Sequence, residues 1–525
     1  KARAVELYRA AAKGGYVPAM CDLGLCYENG DGVEEDLRHA VLWYRKSAEE
    51  GYAPGQCNLA VCYLNGNGVE RDAAAAVRWL EKAAAQGNAR AQSILGDLCR
   101  DGEGTEVDAA RAFQLYTQAA EQGYPPAQCA LGYCYEVGSG TAEDKTKAVE
   151  WYEKAAQRGH ATAQCNLAYC YEQGIGVAED KTKAVEWYAR AAEQEHPRAM
   201  CNLGLCYEYG EGVAEDKTKA AEWYEKAARR GYAPAQCNLG FFYDRGVGVA
   251  EDAAKAVEWY ERAAEQGYPR AQCNLAWCYE YGKGVEQNWK RAVHWYRQAA
   301  DQEDPRGMFC MGICCKYGRG VEQNWEEAVH WYRRAVDAGS AAAMCNLGVC
   351  YERGEGVERD AAEAARLYRQ AAEREDAAAQ CNLGYLYETG EGVEQNWQEA
   401  VRWYQAAAEQ GYPRAQCNLG VCWEFGHGVA KDPAKAADLY RQAAEGGDRV
   451  AACNLGYLYE TGVGVAQSWA DAVKWYRQAV EESEPRAQYN LAWCYEHGKG
   501  VPRDLRQARE LYQAAAKQGY AGAQE

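Results

Sequence analysis

The chain has 525 residues, of which 48% are hydrophobic and 26% are charged, and this is the composition of a folded globular protein. Its formal net charge of −19 argues against a nucleic-acid-binding protein, because such proteins present a basic surface. No apolar stretch approaches the roughly 18 residues that a membrane-spanning helix needs, so no membrane span is expected. The 40 tyrosines and 17 tryptophans beside only five phenylalanines indicate that one motif has been copied many times.

A phrase of eight residues, Cys-Asn-Leu-Gly-Leu-Cys-Tyr-Glu at positions 201–208, recurs every 36 residues. Its first position, called here the leading position, falls at residue 21 and then at every 36th residue up to 489, without an insertion. This regularity predicts one continuous array over residues 1–525 with no domain boundary. It comprises a leading helix at 1–14, 36-residue repeats from about 17 to 520 and a truncated helix start at 521–525. Since both ends cut into the pattern, we expect a fragment of a longer protein.

Each repeat is predicted to form helix, loop and helix. The first helix (helix A) contains the phrase and ends at Gly-x-Gly-Val, as at Gly210 and Gly212, because glycine adopts the left-handed conformation that terminates a helix. Three residues after the valine, an Asp, Asn or Ser such as Asp216 is expected to cap the second helix (helix B). In helix B, the Ala, Val, Trp and Tyr residues recur three and four apart and form one apolar face. A phosphate-binding loop is disfavoured, because such a loop follows a strand and contains a third glycine, whereas these two glycines follow a helix.

These motifs resemble those of the Sel-one-like repeat (SLR) family, which is related to the tetratricopeptide repeats. The resemblance covers essentially the whole chain, and it rests on Ala-x-x-x-Leu-Gly-x-x-Tyr, Gly-x-Gly-Val, the capping Asp and Ala-x-x-Trp-Tyr-x-x-Ala-Ala. It implies an all-α fold, a right-handed α/α superhelical solenoid of about 14 stacked 36-residue helix-loop-helix repeats, used as an adaptor that gathers other proteins. Some cysteine-rich members are secreted and carry a disulfide between the two helices of a repeat. This sequence departs from that pattern, because every cysteine lies on helix A.

The 24 cysteines allow three interpretations. Disulfides within a helix are disfavoured, because cysteines five apart on a helix have Cα atoms roughly 8.6 Å apart, beyond the ~7 Å limit for a disulfide. Disulfides between adjacent repeats are disfavoured because a cysteine is often kept where the facing position has another residue, as at Cys62 and Ser93. A metal site is disfavoured by the absence of short Cys-x2-Cys spacings, and no cofactor is expected. Packing is favoured, since Leu98 or Phe242 replaces a missing cysteine. Buried, reduced thiols favour the cytoplasm, with a secreted or periplasmic location left open.

A binding surface is predicted on the side of helix A that faces away from helix B. With the leading residue at 0° and about 100° per residue, the fourth residue after it lies near 40°, the Asn near 100° and the Glu near 340°. In tetratricopeptide-like stacking this side lines the concave surface. We name the residues four positions after the leading position the +4 row, and all but one of them are apolar or aromatic: Leu25, Val61, Asp97, Tyr133, Tyr169, Leu205, Phe241, Trp277, Ile313, Val349, Tyr385, Val421, Tyr457 and Trp493.

The predicted partner-binding residues combine three kinds of side chain on this face. Aromatic anchors are the usual energetic centres of interfaces, and the acids are expected to be exposed and to act on association rate and salt sensitivity. By resemblance, related solenoids use an Asn at this helix position to hold extended peptides. The candidates are Tyr133, Tyr169, Phe241, Trp277, Tyr385, Trp493, Asn166, Asn202, Asn238, Asn274, Glu136, Glu172, Glu208 and Glu280. An alternative is that stacking of neighbouring repeats buries the +4 row.

The favoured function is a non-enzymatic scaffold that binds a protein or extended peptide, basic or amphipathic, in the concave groove. No zinc-protease motif, nucleophile elbow or P-loop lysine is present, so an enzyme is not expected. Two alternatives stay open: a structural assembly that self-associates by end-to-end stacking of uncapped repeats, and a cysteine-rich array that binds metal or responds to redox state.

Overall fold

A computed structural model describes residues 1–481 and 483–520. Within these residues the chain forms 29 α-helices and no strand. The expected helix start at 521–525 lies outside the described residues. In chain order the helices are α1 (Ala2–Lys13), α2 (Val17–Asn29), α3 (Leu37–Glu49), α4 (Ala53–Asn65), α5 (Ala73–Ala85), α6 (Ala89–Asp101), α7 (Ala109–Glu121), α8 (Pro125–Val137), α9 (Lys145–Gln157), α10 (Ala161–Gln173), α11 (Lys181–Glu193), α12 (Pro197–Tyr209), α13 (Lys217–Arg229), α14 (Ala233–Arg245), α15 (Ala253–Glu265), α16 (Pro269–Tyr281), α17 (Trp289–Asp301), α18 (Pro305–Tyr317), α19 (Trp325–Asp337), α20 (Ala341–Arg353), α21 (Ala361–Ala372), α22 (Ala377–Thr389), α23 (Trp397–Glu409), α24 (Pro413–Phe425), α25 (Pro433–Glu445), α26 (Arg449–Thr461), α27 (Trp469–Glu481), α28 (Pro485–His497) and α29 (Leu505–Lys517).

The chain is organised as two compact units, Lys1–Ala263 and Ala264–Glu525. From α1 to α14 and from α16 to α29, each helix packs on the next one in the chain. By their sequence motifs, even-numbered helices are helices A and odd-numbered helices are helices B. The expected all-α solenoid of 36-residue helix-loop-helix repeats is thereby confirmed. The expectation of one continuous array over residues 1–525 stays a prediction.

The loop between helices A and B needs both of its glycines, for different reasons. Gly66 ends α4 in the left-handed conformation, with φ of 73°. Gly68 also has a positive φ, and a Cβ atom there would lie 2.2 Å from the carbonyl oxygen of Leu37 at the start of the preceding helix B. The second glycine therefore permits close contact between adjacent repeats, beyond the tight turn that its position in the sequence predicts.

Helix B begins at a side-chain cap, as predicted. The carboxylate of Asp36 accepts a hydrogen bond from the backbone N–H of His39 at 2.9 Å, the Asn288 amide oxygen accepts one from Arg291 at 3.1 Å, and the Ser468 hydroxyl accepts one from Asp471 at 3.3 Å. Each cap satisfies a backbone donor that the first turn leaves without a partner.

The core of a repeat is built from the Leu of helix A and the Tyr of helix B. Leu23 and Tyr44 are fully buried, and the tyrosine ring lies directly on Gly24, where a Cβ atom would come within 2.6 Å of it. The small residue after the Leu is therefore the seat of an aromatic ring. This contact fixes helix B against helix A in its own repeat.

The cysteines contribute to this core. Of the 24 free cysteines in the described chain, all but Cys26 and Cys310 are buried, which confirms the prediction of largely buried thiols. Burial is the first cause that raises the pKa of Cys165 to about 11 and that of Cys129 to about 12. The leading cysteine, which the helical wheel places on the open face, is covered by the next repeat; Asn58 donates to the Sγ of Cys21 at 3.5 Å.

Candidate partner-binding surface

The +4 row lies at the protein surface in both units. No member of the row in the described chain is buried, and Tyr133 (47%), Trp277 (36%) and Tyr385 (39%) belong to its exposed residues. Tyr169, Phe241 and Trp493 are half-buried. Stacking therefore covers nine of the 14 members in part and leaves five exposed, so the alternative of a fully buried row is wrong. That the row binds a partner, and that it lines a concave groove, stay predictions.

A second set of exposed aromatic residues lies one helical turn beyond the +4 row, and sequence analysis missed it. We name these residues, eight positions after the leading position, the +8 row. Tyr209 (64%) and Tyr281 (61%) are more exposed than any aromatic residue of the +4 row, and Tyr317 and Phe425 are similar. The Trp277 and Tyr281 rings lie 5.0 Å apart between centroids. The available signal was the four-residue spacing, but the +8 row is polar in most other repeats, so a consensus conceals it.

Basic side chains accompany the aromatic rows. The Arg198 guanidinium lies 5.7 Å from the Tyr169 ring centroid, and the Lys283 ammonium lies 6.0 Å from that of Trp277. These distances are within the range of cation–π attraction. The surface is therefore a mixture of aromatic faces and local positive charge, although the whole chain is acidic.

The Asn candidates are engaged between repeats. Asn166 donates to the thiol of Cys129 in the preceding repeat, and Asn238 donates to that of Cys201, each at 3.9 Å. Asn202 is half-buried, and Asn274 is half-buried with a partner of its own. These amides are half-buried and help to hold one repeat on the next. The sequence predicted that they hold a peptide, and it did not predict these contacts between repeats.

The acidic candidates are half-buried, and the expectation of an exposed acidic row is wrong for them. Each carboxylate accepts a hydrogen bond from the hydroxyl of the buried Tyr 16 residues later in helix B of the same repeat. The O–O distances are 2.5 Å for Tyr152 and Glu136, 3.0 Å for Tyr188 and Glu172, 2.5 Å for Tyr224 and Glu208, and 2.7 Å for Tyr296 and Glu280. Burial is the first cause that raises the pKa of these tyrosines, for example Tyr224, so the hydroxyl keeps the proton that it donates.

Three repeats lack the carboxylate of this pair, and one of them lacks the Tyr as well. In one repeat both partners are replaced by leucine, at Leu64 and Leu80. In the next repeat Arg100 takes the Glu position, and the Tyr116 hydroxyl donates instead to Asp97 at 2.8 Å. This matched loss could have identified the pair from the sequence.

One repeat breaks the pair without compensation. Lys316 stands at the Glu position, and the buried Tyr332 hydroxyl has no hydrogen-bond partner in the described chain. The repeat at 305–340 therefore carries a defect that the regular repeats lack.

The described residues contain neither a membrane-spanning helix nor a cluster of metal-binding side chains. No helix there is both long and apolar enough to cross a membrane. No group of three or more His, Cys, Asp or Glu side chains there has the geometry to hold a metal ion.

Known proteins share this architecture. The model of the Sel1 repeat matches 15 successive segments that cover residues 1–483 and 485–520. The chain is similar to the crystal structure of a protective antigen of uropathogenic Escherichia coli strains that displays an SLR fold: the identity is 30%, the match covers 94% of this chain and 97% of that chain, and the TM-score is 0.61. It is 34% identical to a Sel1 repeat protein from Oxalobacter formigenes over 57% of this chain and 88% of that chain, with a TM-score of 0.46. A comparison with curated proteins finds no match.

Proposed function

Because this chain belongs to the Sel1 repeat family, we propose that it is a non-enzymatic scaffold that binds a protein or an extended peptide through the +4 and +8 rows of its helices A. One observation carries the proposal: large aromatic side chains are exposed at these two positions in both units, as at Tyr133, Tyr209 and Tyr281. Exposed apolar patches of this kind mark interaction sites, and aromatic residues dominate the energetics of interfaces.

The charge of the chain favours a basic or amphipathic partner. The net charge of −19 attracts cationic partners over a distance and raises their association rate. Between the two rows, one oxygen of the Glu208 carboxylate accepts the hydrogen bond from Tyr224. We therefore expect these acids to act on partner binding through the overall negative charge of the chain more than through direct ion pairs with the partner.

Site-specific photocrosslinking tests this assignment. A photoreactive phenylalanine derivative replaces Tyr133 or Tyr385 in separate full-length proteins, and a matched control carries it at Glu150, an exposed position on helix B. After irradiation in extract from the native source, the row positions should each yield the same crosslinked protein, and excess unmodified chain should suppress it. Crosslinks that form only from Glu150 would place the binding surface on helix B.

Light scattering across a concentration series separates a scaffold from a self-associating assembly. The proposal expects a constant molar mass of one chain, 58.2 kDa. A mass that grows with concentration, together with crosslinks to the chain itself, would replace the scaffold by an assembly of copies.

A further inference from the structure

A cavity of about 340 Å³ lies between α23, α24 and α25, on the side of helix B. Leu419, Trp423 and Leu439 form its apolar part, and Glu409 and Asp438 are among its polar lining residues. Its volume is at the lower end of the roughly 300–1,000 Å³ of pockets that bind small ligands. The cavity uses none of the +4 or +8 residues, so it is separate from the surface described above.

An internal comparison explains why the cavity is there. The residue that precedes the buried Tyr position of helix B is a Trp in ten repeats, as at Trp403, and a Leu in the others, as at Leu439. Trp403 packs against a core cluster that contains Leu383 and Leu386, and Leu439 packs against the corresponding cluster one repeat later. Leucine lacks the bulk of an indole, and Leu439 is half-buried whereas Leu367 at the same position is fully buried. At Leu439 the place that an indole fills in the preceding repeat is therefore left partly open.

The chain also shows how an indole is held at this position. A basic residue three positions later lies over the ring, with its cationic group 3.8 Å from the centroid for Lys226 on Trp223. The same pairing is found for Trp43, Trp79, Trp151, Trp187, Trp259 and Trp331. Beside Leu439 the equivalent residue is Gln442, so the cavity lacks both the indole and its cation.

The polar residues that line the cavity favour an occupant that carries a positively charged side chain near the group that enters the cavity. Asp438 bonds Arg441 at 2.7 Å, whereas Glu409 accepts only a neutral hydrogen bond, from Gln405 at 3.1 Å. Since no ion pair of Glu409 is found among the described residues, its carboxylate is the acid of this cavity most able to attract an incoming Lys or Arg. The Lys435 ammonium lies 4.3 Å from the Trp423 ring centroid, so this cation of the cavity lining already has an aromatic partner.

From these observations we propose that this cavity binds a tryptophan side chain of a protein partner, presented on a helix that carries Lys or Arg three residues after the tryptophan. The occupant repeats the chemistry that the array supplies to itself in seven of its ten Trp-containing repeats; Trp295, Trp403 and Trp475 have no basic residue three positions later. The indole packs on Leu419 and Leu439, and the basic residue approaches Glu409.

Isothermal titration calorimetry with the full chain and two synthetic peptides tests the proposal. The first peptide has the sequence of residues 217–229 of this chain, which carries Trp223 and Lys226, and the second differs only by Trp223→Ala. We expect the first peptide to bind and the second to bind at least tenfold more weakly. Equal binding of the two peptides, or no binding of the first, overturns the proposal.

Two variants of the chain locate the site. Leu439→Trp fills the cavity with the residue that other repeats carry, and it should weaken peptide binding at least tenfold while the thermal midpoint stays equal or rises. Trp403→Leu opens an equivalent cavity one repeat earlier, and it should add one binding site per chain. If Leu439→Trp leaves the affinity unchanged, or if Trp403→Leu leaves the stoichiometry unchanged in a folded protein, the cavity is not the site.

Discussion

Removal of the Tyr224 hydroxyl tests whether the Tyr–Glu pair stabilises the repeat. In Tyr224→Phe the ring and its packing on Gly204 stay, and only the donor to Glu208, at 2.5 Å, is lost. A hydrogen bond to a charged group contributes about 1.5–3 kcal/mol. Because Glu208 is half-buried and its carboxylate regains water, we expect the lower end of this range, about 1.5 kcal/mol.

The assay must report on one repeat, because unfolding of a long repeat array is not all-or-none. Native-state hydrogen exchange measured by mass spectrometry meets this need. Peptides from α12 and α13 should exchange about tenfold faster in Tyr224→Phe, since about 1.4 kcal/mol corresponds to a factor of ten. Peptides from distant repeats should be unchanged.

Tyr332→Phe is the matched control. Its hydroxyl is buried without a partner in the described chain, so its removal should leave exchange in α18 and α19 unchanged or slower, because an unsatisfied buried polar group costs about 1–3 kcal/mol. If Tyr332→Phe destabilises its repeat as much as Tyr224→Phe does, the ring alone matters and the hydrogen-bond argument is refuted.

Three further predictions follow from burial, backbone geometry and exposure. Burial raises the pKa of Cys165 from its ordinary 9.0 to about 11 and that of Cys129 to about 12. The stability that these thiols contribute should therefore be full below pH 9 and should fall between pH 9 and 12. Urea denaturation monitored by circular dichroism would show this decrease, and a flat pH profile contradicts the prediction. Glu303 has a φ of 61°, so Glu303→Gly should stabilise its repeat by about 0.5–1 kcal/mol and slow hydrogen exchange in α17 and α18. Asp301→Gly, at the helix end, should speed the exchange of the same peptides. The double variant Trp277→Ala with Tyr169→Ala should weaken partner binding by at least ~2 kcal/mol with unchanged helicity. The double variant Glu172→Gln with Glu208→Gln should change mainly the salt dependence of partner binding. Normal binding by the Trp277→Ala and Tyr169→Ala double variant contradicts the assigned surface.

The helices were predictable because each repeat contains the glycine that ends helix A and the capping residue that begins helix B. Gly66 and the capping Asp72 delimit the loop between α4 and α5 in the sequence as they do in the structure. The close approach of Gly68 to Leu37 was not predictable, since it joins two repeats and leaves no periodic signal within one of them. Interhelical partners such as Glu208 and Tyr224 required a comparison of matched losses, which sequence analysis applied to the cysteines alone.

The same distinction explains which surface positions can encode a partner. The Glu and Asn of helix A recur because each is bonded to a neighbouring helix or repeat, as Glu208 is to Tyr224 and Asn238 is to Cys201. A position with such a partner cannot change without a cost of about 1–3 kcal/mol for the group left unsatisfied. At the +4 and +8 rows the residue type differs between repeats, from Leu25 to Trp277 and from Thr389 to Tyr281. Recognition can therefore differ from repeat to repeat at these two positions while the fold stays the same. A variant that exchanges +4 and +8 residues between repeats should alter partner binding and leave hydrogen exchange of the core unchanged.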